Sequence, residues 1–490
     1  MAHNIKRGIT IYSWQRQVEL GQLTWEDCIK AAVKMGCTGL ELLGQLYFRY
    51  CPEILQEDLD SWNAMMWKYG TKTIAHDFFV DMTMYNHRRL TVREGVDIVR
   101  RHAEFCKKAN IPIMRLGGTV PPELFKQSVP ILEDLGIKMG LEIHSGSSSF
   151  CLPAVEEVIN IIRQSGSKYI GIVPDMSMFC KELSARTIQG AIARGLDEKY
   201  VMDIAELYKN VDNVKFREFC NKGIEESDDE QVRSFLAGVR RTEYYDPKVL
   251  LEHKDYIIHC HGKFYEMTDD NEEATIDYPG ILAALKEAEY DGYISAEYEG
   301  SPINDDIFEP FRRYQKMLDK YLGTYPDANY PDWPDSKPAP RRKGETFMGP
   351  SQNMRAGSPF KNHYEADGTC TGVEVIVSNP YYRGVPLALF EDAHVQIDDK
   401  IYGPEDIRVA IDGEIFKFED MCDVTLHYWN KGYDATLIVN IPGGLEVGKE
   451  YTVAASVTIR AYYMREGISA VAGGPTTFKM PEGDKVILES

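Results

Sequence analysis

Met139-Gly140-Leu141-Glu142-Ile143-His144 is followed by a serine-rich turn, then by Pro153–Ser165, then by Tyr169-Ile170-Gly171-Ile172-Val173-Pro174-Asp175. The outer runs are short and apolar and read as buried strands, whereas the middle stretch reads as a helix. Strand, helix and strand in that order imply a parallel pair. Working outward, the alternation holds from residue 7 to about 322. Further strands are expected at Gly8–Tyr12, Gly39–Leu43, Thr73–His76, Pro112–Leu116, Tyr256–His261 and Tyr293–Glu297. Helices are expected at Trp25–Met35, Leu90–Lys108, Pro279–Ala288 and Phe308–Tyr321. The first 150 residues alone would also fit an open, doubly wound sheet. Eight strands in about 320 residues decide for a closed (β/α)₈ barrel.

One connection is irregular. About 80 residues separate the sixth and seventh strands, with helical patterns at Ala185–Ala193, Lys199–Lys209 and Asp229–Arg240 and an acidic run from Glu225 to Glu230. An insertion beside the catalytic face covers a substrate, meets a neighbouring subunit, or is a helical excursion without function. Beyond the barrel (1–322), prolines punctuate an extended connector (323–345), and an all-β region (346–490) follows. Val373–Val377 is strand-like. Ile407–Ile411, Asp412-Gly413 and Glu414–Phe418 form a hairpin with a type I′ turn. Ala435–Ile441, the Pro442-Gly443-Gly444 turn and Tyr451–Tyr463 give another pair. The fold class is thus a TIM barrel followed by a smaller sandwich-like domain.

Composition narrows the function. The 490 residues carry a net charge of −21, which argues against a nucleic-acid or membrane-surface partner, since both need a basic face. With 43% hydrophobic and 27% charged residues the chain is of globular type. Ten cysteines, none in a C-x-x-C pair, read as reduced thiols. With no signal peptide and no long apolar run, the expected setting is cytoplasmic.

Chemistry concentrates at strand ends. Glu142 and His144 share one face of the fifth strand, Asp175 ends the sixth, His259, His261 and Lys263 share a face of the seventh, and Glu297 and Glu299 share a face of the eighth. In such barrels the C-terminal mouth gathers these groups. Glu142, Asp175, His261 and Glu297 supply three carboxylates and one imidazole from consecutive strands, a set suited to Mn²⁺, Mg²⁺ or Co²⁺. His259 is an alternative to His261, and Glu299 to Glu297. Glu41, His76 and Arg115 end the second, third and fourth strands, as functional groups or as rim ion pairs and core histidine. His87, His102, His363, His394 and His427 have no such placement.

Leu141-Glu142-Ile143-His144, Pro174-Asp175, the His261 and Lys263 strand end, and Ser295-Ala296-Glu297 resemble the xylose-isomerase-like sugar isomerase and epimerase superfamily. The resemblance implies one divalent metal, most often manganese, held by Glu142, Asp175, His261 and Glu297. Asn379–Leu387, Ile441–Leu445 and Arg460–Met464 resemble the β subunit of bacterial C-glycoside deglycosidases. It is usually a separate chain from the barrel subunit, and here both lie in one polypeptide. This resemblance implies a lyase acting on a 3-oxo-glycoside made by a separate oxidoreductase. A base removes the C2 proton and the aglycone leaves C1 by β-elimination, giving an unsaturated keto-sugar. His144 is the expected base, because imidazole titrates near working pH, with a hydrogen bond to a ligand carboxylate as its other reading. His259 or Lys263 is the expected acid or enolate partner. Tyr381, Tyr382 and Arg383 either contact the aglycone or pack the β domain. Related assemblies are multimeric, so a homo-oligomer is expected. The alternative is a metal-dependent sugar isomerase or epimerase with an accessory β domain. A carbohydrate-binding scaffold is a third reading, and it requires the four-residue set to be coincidence.

Overall fold

The structure is a computed structural model that describes residues 5–19, 22–300, 306–323, 360–460 and 469–479. Eight parallel strands form one sheet: β1 (Lys6–Thr10), β2 (Gly39–Leu43), β3 (Lys72–Phe79), β4 (Ile113–Gly117), β5 (Lys138–Ile143), β6 (Ile170–Pro174), β7 (Cys260–Phe264) and β8 (Tyr293–Tyr298). Their order is β6-β5-β4-β3-β2-β1-β8-β7, so β1 pairs with both β2 and β8. The β6–β7 seam is joined by two isolated parallel bridges, Ile172 with Ile257 and Asp175 with His261. The expected barrel is present.

Strand seven differs from its expected span. Lys254–Tyr256 is a short 3₁₀ turn, and the strand runs Cys260–Phe264 rather than Tyr256–His261. Ile257 is extended, yet the stretch meets β6 only through the Ile172 bridge and the Ile258 N–H to Ile172 carbonyl bond, so the ladder starts late. The shift moves Lys263 inside the strand and leaves His259 just before it.

The helices feeding β5 and β6 are built alike. Pro122–Leu135 and Pro153–Ser165 each start on proline and stop at a glycine in left-handed conformation, Gly136 (φ 73°) and Gly166 (φ 62°). Proline pre-sets the first helical φ, and glycine adopts the left-handed stop without a Cβ penalty. Pro122–Leu135 and Gln56–Tyr69 are helices beyond those expected.

The insertion holds helices at Ala185–Ala193, Glu198–Asn210, Asn213–Glu226 and Glu230–Val239. Ser184, Asp197, Asp212 and Asp229 cap their N-termini. The acidic run spans the junction of the last two, so Asp229 is a cap and its neighbours are helix ends. These helices share an apolar cluster that includes Val201, Ile204, Phe216, Phe235 and Leu236.

The C-terminal region carries β9 (Lys361–Tyr364), β10 (Cys370–Ser378), β11 (Val385–Pro386), β12 (Phe390–Ile397), β13 (Lys400–Tyr402), β14 (Ile407–Ile411), β15 (Glu414–Lys417), β16 (Tyr428–Trp429), β17 (Asp434–Asn440), β18 (Glu450–Arg460) and β19 (Ser469–Lys479). One sheet is ordered β15-β14-β17-β10-β9 and another β13-β12-β18-β19. Alternate residues of both, such as Val373, Val375, Val409 and Leu437 from the first and Val395, Val453 and Val457 from the second, enter one core, which makes a sandwich. Asp412 (φ 50°) and Gly413 (φ 84°) form the expected tight turn between β14 and β15. β17 and β18 are not a hairpin. The first pairs with β10 and β14 and the second with β12 and β19, so the Pro442-Gly443-Gly444 turn passes between sheets.

Contacts divide the chain into two units. The first holds 1–43, 56–80 and 96–339, and the second holds 44–55, 81–95 and 340–490. Segments following β2 and β3 therefore belong with the sandwich. Within that unit Arg383 is fully buried, with Nη1 donating to Gln45 Oε1 at 2.6 Å and Nη2 lying 3.3 Å from Asp81 Oδ1. Tyr381 is buried and its ring meets Tyr382 at 4.6 Å, so packing describes this trio. Residues 324–345 of the connector and Ala461–Met464 lie outside the described residues.

Candidate metal centre

Three of the four central side chains come from the C-terminal ends of strands, and His261 comes from the second position of β7. Glu142 is the penultimate residue of β5, and Asp175 follows β6 directly. The Asp175 N–H donates to the Ile143 carbonyl at 2.9 Å, and its Oδ1 accepts from Ser177 N at 2.7 Å, which turns Oδ2 away from that turn. His261 sits in β7 and Glu297 in β8.

One ligand atom from each of Glu142, Asp175, His261 and Glu297 lies within 4.8 Å of the other three. His261 Nδ1 is central: it stands 3.1 Å from Glu142 Oε1, 2.9 Å from Glu297 Oε2 and 3.5 Å from Asp175 Oδ2. Yet His261 Nδ1, Asp175 Oδ2 and Glu297 Oε2 are buried without a properly directed hydrogen bond. Unsatisfied buried polar atoms are costly, and converging ones fit a cation better than one another. The residues present therefore fit a divalent metal.

Around them lies a supporting layer. Glu41, in the middle of β2, accepts from His261 Nε2 at 2.6 Å through one oxygen and from His259 Nε2 at 2.8 Å through the other. That bond places the His261 proton on Nε2 and leaves Nδ1 for the centre, as carboxylates behind ligand histidines do. Arg115 donates to Glu142 Oε2 at 2.7 Å and to Asp77 Oδ1 at 2.8 Å. Lys263 Nζ stands 2.8 Å from Glu297 Oε2 and 3.1 Å from Glu299 Oε1.

The electrostatics match. Burial pushes the three quartet carboxyls up, but the opposing cations win. Arg115 and His261 bring Glu142 down to about 2, and Lys263 and His261 bring Glu297 to about 2. Lys263 and His144 hold Asp175 below the usual carboxylate range. His261 moves the other way: burial lowers it, and Glu41 with Glu297 raise it well above 6.5.

A family model of the xylose isomerase-like TIM barrel matches residues 29–321, more than half of the chain. The chain belongs to that family. A model of the C-glycoside deglycosidase beta subunit matches residues 351–463. Among curated relatives, a 3'-dehydrocarminate deglycosidase alpha subunit of a Microbacterium species is 25% identical over 331 residues, covering 64% of this chain and 95% of the relative. A C-glycoside deglycosidase alpha subunit of Arthrobacter globiformis is 24% identical over 310 residues, 61% of this chain and 86% of the relative. A C-glycoside deglycosidase beta subunit of Eubacterium cellulosolvens is 32% identical over 89 residues, 18% of this chain and 60% of the relative. One polypeptide here joins what those names assign to two subunits.

Within this xylose isomerase-like barrel the expected quartet comes together. His144 lies at the end of β5, half-buried, with Nδ1 2.8 Å from the Ser145 carbonyl, so Nε2 carries the lone pair. His259 is placed differently from a mouth residue. It is fully buried between Glu41 and Ser295 Oγ (3.1 Å), because strand seven begins only after it. It belongs to the supporting layer, out of reach of a substrate. Glu299 is the partner of Lys263 rather than a member of the quartet. Sequence reasoning left Glu41 and Arg115 open and did not single out Asp77 or Ser295. A signal for Glu41 was present, since a carboxylate flanked by Leu40 and Leu42 in a strand buried on both faces needs a cationic partner. His76 instead bonds His102 (Nε2 to Nδ1, 2.9 Å) in the core.

Among the described residues no helix is long and apolar enough to cross a membrane.

Proposed function

We propose that the protein is a divalent-metal-dependent lyase that releases the aglycone of a 3-oxo-glycoside. One observation carries the reading: the quartet turns orphaned ligand atoms inward in a chain whose second region matches the C-glycoside deglycosidase beta subunit model. Glu142, Asp175, His261 and Glu297 would hold the ion, and three oxygens with one nitrogen suit Mn²⁺, Mg²⁺ or Co²⁺ better than Zn²⁺ or copper, with Mn²⁺ the ion that the family resemblance favours. When bound, such an ion supplies Lewis-acid polarisation of the substrate's oxygens.

The remaining work falls to side chains. Glu41 and Arg115 fix the orientation of His261 and Glu142 before substrate arrives. His144, with its Nδ1 proton committed to the Ser145 carbonyl, takes the C2 proton on Nε2. The C2–H electron pair becomes the C1–C2 double bond as the bond from C1 to the aglycone breaks. Lys263 returns a proton to the departing carbon or oxygen, so the products are a free aglycone and an unsaturated keto-sugar. The C3 ketone must be supplied by an oxidoreductase acting on the parent glycoside. All ten cysteines are free thiols, which supports a reducing compartment such as the cytoplasm.

The test incubates manganese-loaded protein with a 3-oxo-C-glucoside in D₂O and follows the products by mass spectrometry, with Glu142→Ala alongside. Free aglycone and a dehydrated keto-sugar, absent with the variant, are expected. A deuterated or isomerised sugar still bearing its aglycone would overturn the lyase reading in favour of an isomerase or epimerase.

A further inference from the structure

Past its last long helix, Glu230–Val239, the insertion returns toward β7 through a strip, residues 241–245, that runs between two neighbours. Tyr244 forms an antiparallel bridge with Phe179. On that edge the Cys180 N–H donates to the Glu243 carbonyl at 3.1 Å, and the Tyr245 N–H donates to the Met178 carbonyl at 3.0 Å. Both partners lie in the turn that follows Asp175. On the other edge Asn213 takes both backbone groups of Tyr244, accepting from its N–H at 2.9 Å and donating to its carbonyl at 3.0 Å. Alternate backbone groups of a strand-like segment point to opposite edges, and each needs a partner. Arg217, from the same helix as Asn213, adds an ion pair to the buried Glu243.

The strip in turn carries the serine-rich turn after β5. Ser145 Oγ donates to the Arg241 carbonyl, and Ser149 Oγ and the Tyr245 hydroxyl share a bond of 3.0 Å. Cys151 Sγ lies 3.6 Å from Glu243 Oε1. Gly146 has φ 77°, and a Cβ built on it would stand 2.5 Å from Arg241 Cβ, so the approach requires glycine. Inside the turn the bonds converge on His144. Its N–H donates to Ser148 Oγ at 3.2 Å, its carbonyl accepts from Ser148 N at 3.2 Å, and Ser147 Oγ stands 3.3 Å from Nδ1.

We propose that the insertion is the positioning element of the general base: Asn213 and Arg217 hold the strip, the strip holds the serine turn, and the turn holds His144. That His144 is the base rests on the function proposed above. The helix bearing Asn213 is itself anchored, since its Phe216 and Cys220 enter the insertion's own apolar cluster, and this gives the strip a rigid edge. A reacting group displaced by about 1 Å loses on the order of a hundredfold in rate, so bracing of this kind acts on turnover rather than on substrate affinity.

The experiment uses the whole chain, manganese-loaded, with a 3-oxo-C-glucoside carrying deuterium at C2. Loss of that label to water reports deprotonation whether elimination or isomerisation follows, and aglycone release is read in the same samples. Asn213→Ala should lower kcat for label loss by about tenfold or more, with KM and the manganese Kd within about twofold of the parent. Ser145→Ala should behave alike, and Ser145→Thr, which keeps the hydroxyl, should recover most of the rate. Asp197→Ala, which removes the cap of another insertion helix, should leave kcat as it is. Amide hydrogen exchange across residues 144–149 should quicken by about tenfold in Asn213→Ala and stay unchanged in Asp197→Ala. Parent-like kcat in both Asn213→Ala and Ser145→Ala would overturn the positioning role. Label loss without aglycone release in the unaltered protein would sink the lyase reading, and the variants' rates of label loss would still decide the positioning role. Label retained by the unaltered protein would overturn both.

Discussion

Glu41 is the side chain on which the geometry of the centre turns, because its two oxygens hold both His259 and His261. Both of its oxygens are engaged by histidine Nε2 atoms and neither belongs to the quartet, so it is a positioning residue. Glu41→Gln should weaken manganese binding by about 10–100-fold while leaving the metal's ligand count, read by electron paramagnetic resonance, unchanged. A variant that binds manganese as tightly as the parent would show that the bond is structural only. His261 gives a second expectation. Glu41 and Glu297 outweigh burial and raise its pKa well above 6.5, so the metal-free protein carries a proton there at neutral pH. Folding takes up that proton, and the stabilisation is complete below about 6.5 and fades as pH rises through the raised folded value. Metal binding must displace it. Manganese uptake should therefore release about one proton per ion and tighten with rising pH, measured by calorimetry in buffers of different ionisation enthalpy. At the acid end, Glu142 and Glu297, both lowered to about 2, contribute stability that is present above 4.5 and lost as pH falls toward 2. His144, Asp175 and Glu297 could be read from strand-end position. The Glu41 bridge could not, since it joins groups 218 and 220 residues apart.

At the scale of elements, local chemistry explains why the insertion's helices begin where they do. Asp229 Oδ1 accepts from Gln231 N at 2.8 Å and so satisfies a donor that the first helical turn leaves open. Asp229→Ala should cost about 1 kcal/mol in urea unfolding, whereas Glu230→Gln, one residue on in the same acidic run, should stay within about 0.5 kcal/mol. Equal effects from both would mean that charge density, not capping, matters there. In the sandwich unit, Arg383 places a guanidinium in a fully buried site beside Gln45 and Asp81. Arg383→Ala should destabilise by about 3 kcal/mol or more, read from the same unfolding curves. Strand seven shows where local reading fails. Tyr256-Ile257-Ile258 has strand composition, but its edge partner β6 offers it only one bridge, and a strand exists only where a neighbour completes its ladder.

For the whole molecule, the expected consequence of the metal is thermodynamic coupling. An ion that binds only the folded chain adds about 2.7 kcal/mol at a free concentration a hundredfold above its Kd. A chelator should lower the melting temperature and manganese restore it, with the effect absent in Asp175→Ala. A melting temperature indifferent to both would contradict the quartet as a metal centre. The amino-acid sequence determined the number and order of barrel strands, the β-rich second region and the quartet itself, because alternation along a strand and position at its end are local properties. Tertiary structure decided that His259 stands behind Glu41, that β17 and β18 lie in different sheets, and that the segments after β2 and β3 group with the sandwich. Those outcomes depend on which distant groups complete each other's hydrogen bonds and charges, and only the closed chain fixes such pairings.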